Sequence, residues 1–366
     1  LKFTIITRYY HPTPDGIGHH SGYLNQYLIE AGHSVQVIYD DGIISLQEKE
    51  IGILVNKIKR HRSDWVIFQY NGYSYNRFGA PNWLSRLFKK ITLYSSAKIC
   101  LIVHETFIRK DNELKLKIYR FLQKRALRVA AEHSNFTVTT THLYQKQLKE
   151  LGSKSEVLFT PSNFENYIIE LKKSYKPKQK LRIGTFGNRD PVFLLKIIEK
   201  LEKNGLIFEF DFIGNYQPKY IKEIKNFSKK LKYTKIERSG KLTDRNIVLR
   251  MERLDAFILL EPVRTDGGGG LNTKSGASAT ALCMGIPIFS TIGDFTDPSV
   301  FKENENYISL NYVDYEKSAD ILFSFLKDDR DGLKLIGESG QKMYRKDFSW
   351  KVYANKLFTL IDNAKG

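Results

Sequence analysis

What most constrains this chain is an alternation. Runs rich in apolar and β-branched residues, at residues 3–6, 35–39, 65–68, 99–103, 135–139 and 157–159, are separated by loops and amphipathic stretches. A strand without a polar face has none to offer water, so the central runs fit a parallel sheet covered on both sides by helices. Residues 19–31 supply the first cover: Tyr23, Leu24, Tyr27 and Leu28 fall at helical spacing, and Gly32 stops the segment.

The alternation fades after Pro161 and then restarts. Lys172, Lys173, Lys176, Lys178 and Lys180 surround Pro177, a charged, proline-containing link of the kind that joins domains. Beyond it, strands are predicted at 181–186, 209–213, 256–260 and 286–289, with helices over 191–201 and 277–284. A chain of 366 residues is longer than one core usually serves. The prediction is an α/β protein of two Rossmann-like, doubly wound domains, 1–170 and 181–345, with a linker over 171–180 and a closing segment over 346–366.

Several classes fall away. No apolar run approaches the roughly 18 residues that a spanning helix needs, and the first residues lack the basic-then-apolar pattern of an export signal. Cys100 and Cys283, the two cysteines, are too few and too far apart for a disulfide framework or a cysteine-rich zinc site. A cytoplasmic location is expected, with the inner face of the membrane as a second possibility.

Four constellations carry chemistry. Gly16-Ile17-Gly18, between a strand and a helix, would bring backbone N–H groups to an anion at a positive helix end. A plain turn accounts for the same residues, because the third glycine of the dinucleotide fingerprint is missing. Stronger is Asp266-Gly267-Gly268-Gly269-Gly270-Leu271-Asn272-Thr273-Lys274-Ser275-Gly276, which delivers Lys274 and the Ser275 and Gly276 amides to a helix start, as a diphosphate requires. The bland alternative is a long loop with an ordinary cap. Gly187-Asn188-Arg189 again follows a strand and precedes a helix, where an arginine pairs bidentately with phosphate oxygens or simply faces solvent. His104-Glu105 ends an apolar strand and suits hydrogen bonding to a substrate hydroxyl, or merely caps the strand. No nucleophile motif, zinc-type histidine spacing or complete kinase-type phosphate loop is present, so phosphoryl transfer and metallohydrolysis are disfavoured and no metal is expected.

The order of these pieces resembles the GT-B glycosyltransferases, specifically the retaining nucleotide-sugar enzymes of family 4. The likeness runs over nearly the whole chain: Asp15-Gly16-Ile17-Gly18 with residues 32–38, Val103-His104-Glu105, residues 182–187, Ser239-Gly240-Lys241-Leu242 with Leu254-Asp255, residues 281–287, and Asp347-Phe348-Ser349-Trp350. It implies two domains facing across a cleft, a last helix returning to the first, and transfer with retention, in keeping with bacterial surface polysaccharide or glycoconjugate synthesis. It also implies that a donor, a UDP- or GDP-sugar first, is bound mainly by the second domain and that no other cofactor is used. By position, Arg189 and Lys274 would neutralise the leaving diphosphate, the Gly16 and Gly18 loop would close on it, and His104 would touch the donor sugar. Gly187, Asn188, Gly240, Lys241, Glu261, Asn272, Thr273, Ser275, Gly276 and Thr280 complete the expected donor site. Tyr73 and Tyr75, in the polar, aromatic loop 71–76, are expected on the side of a glycan, lipid-linked or protein acceptor.

One departure matters. The family commonly carries two glutamates eight positions apart, and here those positions are Asn272 and Thr280. Either Lys274, Ser275, Gly276 and the Thr280 hydroxyl take over their contacts, or activity is lost and the chain is an inactive partner subunit. A sugar-nucleotide epimerase or hydrolase of the same fold is a further alternative.

The net charge of +18 is uneven: residues 1–180 carry 28 Lys+Arg against 15 Asp+Glu, leaving 30 against 25 for the rest. No recognisable nucleic-acid-binding module accompanies it, so nucleic acid is not expected as a partner. Over 81–91, Trp83, Leu84, Leu87, Phe88 and Ile91 share a helical face flanked by Arg86, Lys89 and Lys90, and residues 109–128 hold eight cations. Both stretches suit docking on an anionic membrane or, equally, packed helices with solvated charged faces.

Overall fold

The computed structural model describes residues 1–10, 15–39, 46–109, 113–171, 180–263 and 269–364. In chain order the first elements are β1 (Lys2–Thr7), α1 (Gly16–Glu30), β2 (Ser34–Tyr39), α2 (Glu48–His61), β3 (Trp65–Tyr70), α3 (Gly72–Tyr75) and α4 (Leu84–Tyr94). They continue with β4 (Lys98–Val103), α5 (Leu114–Glu132), β5 (Phe136–Thr139), α6 (His142–Glu150), β6 (Ser155–Val157) and α7 (Glu165–Leu171). The second series is β7 (Arg182–Phe186), α8 (Val192–Lys203), β8 (Glu209–Ile213), α9 (Pro218–Ser228), β9 (Lys235–Arg238), α10 (Asp244–Met251) and β10 (Ala256–Leu259). It closes with α11 (Gly276–Met284), β11 (Ile288–Thr291), β12 (Ile308–Leu310), α12 (Tyr315–Phe323), α13 (Arg330–Met343) and α14 (Trp350–Asn363).

The strands form two six-stranded parallel sheets, ordered β2-β1-β3-β4-β5-β6 and β12-β11-β10-β7-β8-β9. Each order reverses once, between β1 and β3 and between β7 and β10. At such switch points neighbouring strand ends diverge and open a crevice at their carboxyl edge. The expected α/β architecture is thus the observed one. Apolar runs became central strands because only there are both faces covered: every residue of β3 and of β10 is buried.

The chain divides into two compact units, Leu1–Phe159 with Tyr353–Gly366, and Thr160–Val352. The division falls ahead of the 171–180 segment, of which residues 172–179 lie outside the described residues. Residues 160–165 already belong to the second unit through their hydrogen bonds. Thr160 N donates to Thr273 O at 2.9 Å, Trp350 Nε1 donates to Ser162 O at 3.0 Å, and the Glu165 carboxylate accepts from Tyr344 Oη and Trp350 N. The first core gathers Ile6, Val66, Phe68, Leu87, Leu101 and Leu127, and the second Ile183, Ile198, Phe210, Ile258, Phe289 and Leu322.

Three sequence expectations are corrected. The sixth strand is Ser155–Val157 and not 157–159; Leu158 is buried yet leaves the ladder after its N–H bonds Thr139 O, because an apolar run signals burial and not pairing. The edge strands β9 and β12 were not anticipated, since Lys235-Ile236-Glu237-Arg238 has no apolar run and Ile308-Ser309-Leu310 is too short to stand out. The face of α4 offered for a membrane is also interior: Trp83, Leu84, Leu87, Phe88 and Ile91 all pack in the first core, while Lys90 pairs with Glu48. There the packed-helix alternative holds.

Candidate functional site

In the second unit, the loops after β7, β8, β9 and β10 leave the carboxyl edge of one sheet. Gly187, Gly214 and Gly240 stand just beyond three of these strands, all at positive φ (104°, 118° and 68°). Gly214 and Gly240 form a bridge, and Ser239 Oγ accepts from Gly214 N at 2.9 Å. At these φ values a residue with a side chain would strain each turn.

Gly187 has a further role. A Cβ there would sit 2.6 Å from Arg189 Nη1, so glycine lets the guanidinium fold back over the turn. Arg189 Nη1 donates to Phe186 O at 2.6 Å, and Nη2 meets Glu261 Oε1 at 2.7 Å. Arg189 follows β7 and Glu261 follows β10, the two strands between which the order reverses. The pair therefore spans the switch point, and with both side chains partly exposed it is open to exchange with an incoming anion. Asn188 is exposed, and its Oδ1 accepts from Gln217 N at 3.1 Å at the start of α9.

The glycine-rich loop leads into α11 at the same sheet edge. Ser275 is its N-cap, accepting from Ser278 N at 3.3 Å, and the residues that follow include small Gly276, Ala277 and Ala279. A helix start carries partial positive charge, and Lys274 beside it lies over the Phe295 ring at 5.1 Å. Gly276 and Ser275 are partly exposed, as the expectation of an anion site requires. Gly267 and Gly268 fall outside the described residues. Gly269 and Gly270 are required for close approach: at positive φ, a Cβ would lie 1.8 Å from Pro262 O and 2.1 Å from Gly293 N respectively.

The positions that replace the usual glutamates diverge. Asn272 Nδ2 donates to Gly270 O at 3.0 Å, leaving Oδ1 buried with no hydrogen-bond partner among the described residues. Thr280 is fully buried, its hydroxyl donating to Gly276 O at 2.6 Å and contacting Ser162 Oγ at 2.9 Å. The expectation that this hydroxyl meets the donor is corrected: it is spent inside the unit. Thr273 is also buried, with its carbonyl bonded to Thr160. Gly240 and Lys241 sit at the end of β9, where Lys241 is exposed.

The first unit has its own switch point. Asp15 caps α1, its Oδ1 accepting from both Ile17 N and Gly18 N at 2.9 Å, so amides expected to meet an anion already bind a carboxylate. Gly18 is instead a packing glycine, whose Cβ would meet Tyr9 at 3.2 Å. His104, at the end of β4, has Nε2 2.6 Å from Gln69 Oε1, and its ring meets His20 edge-on at 5.1 Å. Burial, with the neighbouring His104 adding to it, holds the His20 imidazole well below the ordinary histidine range. Sequence reading missed both Gln69 and His20. His20 was visible just after the glycine pair, but nothing marked it as turned inward. Of the acceptor-side pair, Tyr73 is exposed and its hydroxyl accepts from Gln123 Nε2 at 3.0 Å. Tyr75 is corrected to a core residue, packed on Phe68 and Trp83 with its hydroxyl donating to Gln69 O.

Among the described residues, no group of three His, Cys, Asp or Glu side chains is placed to hold a metal ion, and no helix is long and apolar enough to cross a membrane.

No protein-family model and no curated protein sequence matches the chain. Solved structures do. A glycosyltransferase from Rickettsia africae aligns over 99% of this chain and 98% of its own, with 15% identity and a TM-score of 0.67. Anabaena HepE in complex with UDP and glucose aligns over 99% and 100%, with 12% identity and a TM-score of 0.63. An alpha-glucosyltransferase in complex with UDP and a 13-mer DNA aligns over 99% of both chains, with 12% identity and a TM-score of 0.61. The fold is GT-B. With the topology of both sheets, these alignments account for the whole chain as a GT-B α/β protein of glycosyltransferase-like fold.

Proposed function

We propose that this protein is a retaining glycosyltransferase that takes its sugar from a nucleotide diphosphate sugar, a UDP-sugar before a GDP-sugar, and passes it to a glycan or lipid-linked acceptor. The observation that carries the reading is the second switch point. A cation, Arg189, is delivered there on a glycine turn, beside a loop that brings Lys274 to the start of α11. In the transfer, the bond from the sugar's anomeric carbon to the β-phosphate oxygen breaks, one from that carbon to the acceptor oxygen forms, and the acceptor's proton passes to the departing diphosphate. Negative charge grows on the departing diphosphate, where two cations and a helix end act as fixed, oriented stabilisers.

Glu261 holds the guanidinium in place and would yield it to phosphate oxygens on binding. The unsatisfied Asn272 Oδ1 would accept a donor hydroxyl in place of the missing glutamate. In the first unit, His104, held by Gln69, and exposed Tyr73 are that unit's candidates for substrate contact. The neighbours complexed with UDP support the choice of base.

A thermal-shift series with UDP, GDP, ADP and CDP and their common sugar conjugates tests this. A ligand held only by the folded state raises its melting temperature by mass action. A clear shift with a uridine or guanosine diphosphate is expected. No shift with any of them, in a folded protein, would overturn the transferase reading in favour of an inactive partner.

A further inference from the structure

The basic excess of the first unit has a definite address on α5. Its nineteen residues hold six cations, Lys115, Lys117, Arg120, Lys124, Arg125 and Arg128, against one acid, Glu132. Leu114, Ile118 and Phe121 recur at four and three residues along it and are 73%, 51% and 65% exposed. Unlike the apolar face of α4, this one is not buried in the unit. Three large apolar side chains on one stripe, ringed by lysine and arginine, cost free energy in water and gain it at a lipid interface.

The same helix borders a cavity of about 210 Å³ between α5, α6 and the segment after β4, whose lining includes Phe107, Arg109, Arg120, Lys146, Gln147 and Glu150. Three of these are cations and one, the exposed Glu150 at the end of α6, is an acid. The Arg120 guanidinium stacks 5.7 Å from the Phe107 ring centroid, and its buried Nε has no hydrogen-bond partner. Lys124 covers the same ring at 4.7 Å. Gln147 is turned to Thr106, whose hydroxyl donates to its Oε1 at 2.5 Å. A phosphate oxygen would satisfy the Arg120 Nε–H, with Lys146 in the same lining.

We propose that this face of the first unit docks on an anionic bilayer. One lipid phosphate sits in the cavity between Arg109, Arg120 and Lys146, while Leu114, Ile118 and Phe121 enter the interface. The inference is independent of the chemistry of the second unit. It commits to lipid and not to a soluble phosphate ester, because Leu114, Ile118 and Phe121 stand exposed on the same cation-rich helix as Arg120, and a soluble ligand would leave them in water.

Flotation of the full chain with vesicles of phosphatidylcholine, alone or mixed with phosphatidylglycerol, tests it. Wild type is expected to float only with the mixed vesicles. The double variants Arg120→Gln/Lys146→Gln and Ile118→Ser/Phe121→Ser should each weaken that binding about tenfold or more, with melting temperatures close to wild type. Lys146→Gln alone, on an exposed side chain, should move in the same direction and covers the case in which the Arg120 change impairs folding. Lys222→Gln/Lys225→Gln, which removes two exposed cations from α9, should float as wild type does. Equal flotation with both vesicle types, wild-type binding by either α5 variant, or an equal loss in the α9 variant would each overturn the proposal. The last result would mean diffuse charge and no site.

Discussion

Arg189 and Glu261 lie far apart in sequence and meet because β7 and β10 are neighbours in the sheet. Both were legible beforehand as polar residues at strand ends. Their pairing was not, since only the sheet order makes those strands adjacent. The pair is partly solvated, so breaking it should cost at most about 1 kcal/mol of stability. Under the proposed function its catalytic weight is larger: Arg189→Ala and Lys274→Ala are each expected to lower kcat about 100-fold or more while leaving the melting temperature nearly unchanged. Steady-state rates beside thermal melts check this, and near-wild-type turnover in both would remove the diphosphate site. The two tyrosines of loop 71–76 separate in the same way. Tyr75→Phe should cost about 1 kcal/mol in denaturant unfolding, for the lost bond to Gln69 O, and leave acceptor KM alone. Tyr73→Ala should raise acceptor KM with little change in stability. Sequence reading grouped the two because each sits in a polar, aromatic loop, yet the short helix α3 turns one inward and leaves the other out.

At the scale of elements, what could be read from sequence followed burial. Central strands of both sheets and helices such as α8 and α11 were visible as apolar runs and periodicities, whereas β9, paired on one side only, shows no such run. The glycine-rich loop was legible as something unusual but only partly for the right reason. Gly269 and Gly270 are needed less for flexibility than for room, because neighbouring backbone occupies the space a Cβ would take. Gly270→Ala combines that collision with a φ of 84°, and a strained backbone alone costs about 1–3 kcal/mol. Chemical denaturation should therefore show a loss at the upper end of that range or beyond it. Diphosphate affinity should fall as well, since the loop carries Lys274 and the start of α11. Gly276→Ala, at a position whose only near neighbour is Asn163 at 3.7 Å, is the matched control and should leave stability within about 1 kcal/mol of wild type.

Across the whole chain, the first unit is closed by residues from the far end: Tyr353 lies on His20, Phe358 on His33, and Ala364 O accepts from Lys98 Nζ. The resemblance implied a last helix returning to the first domain, but no local pattern gives these contacts, because they join segments more than 260 residues apart. It also decides the ionisation of His20. Under Tyr353 and His104 the imidazole is cut off from water, and burial lowers its pKa well below the usual value of 6.5. Folding therefore requires the neutral ring, while the unfolded chain binds a proton near the ordinary value. Between the two pKa values the unfolded state holds more protons, so stability rises with pH there. The contribution is fully present above about 6.5 and is lost as pH falls from there toward the folded value. Thermal melts on acidification should show a progressive decrease beginning below about pH 6.5. His20→Phe keeps a ring of similar size against Tyr353 but has no proton to take up. Its melting temperature should decline less over the same interval, and a decline as steep as that of wild type would place the acid sensitivity elsewhere.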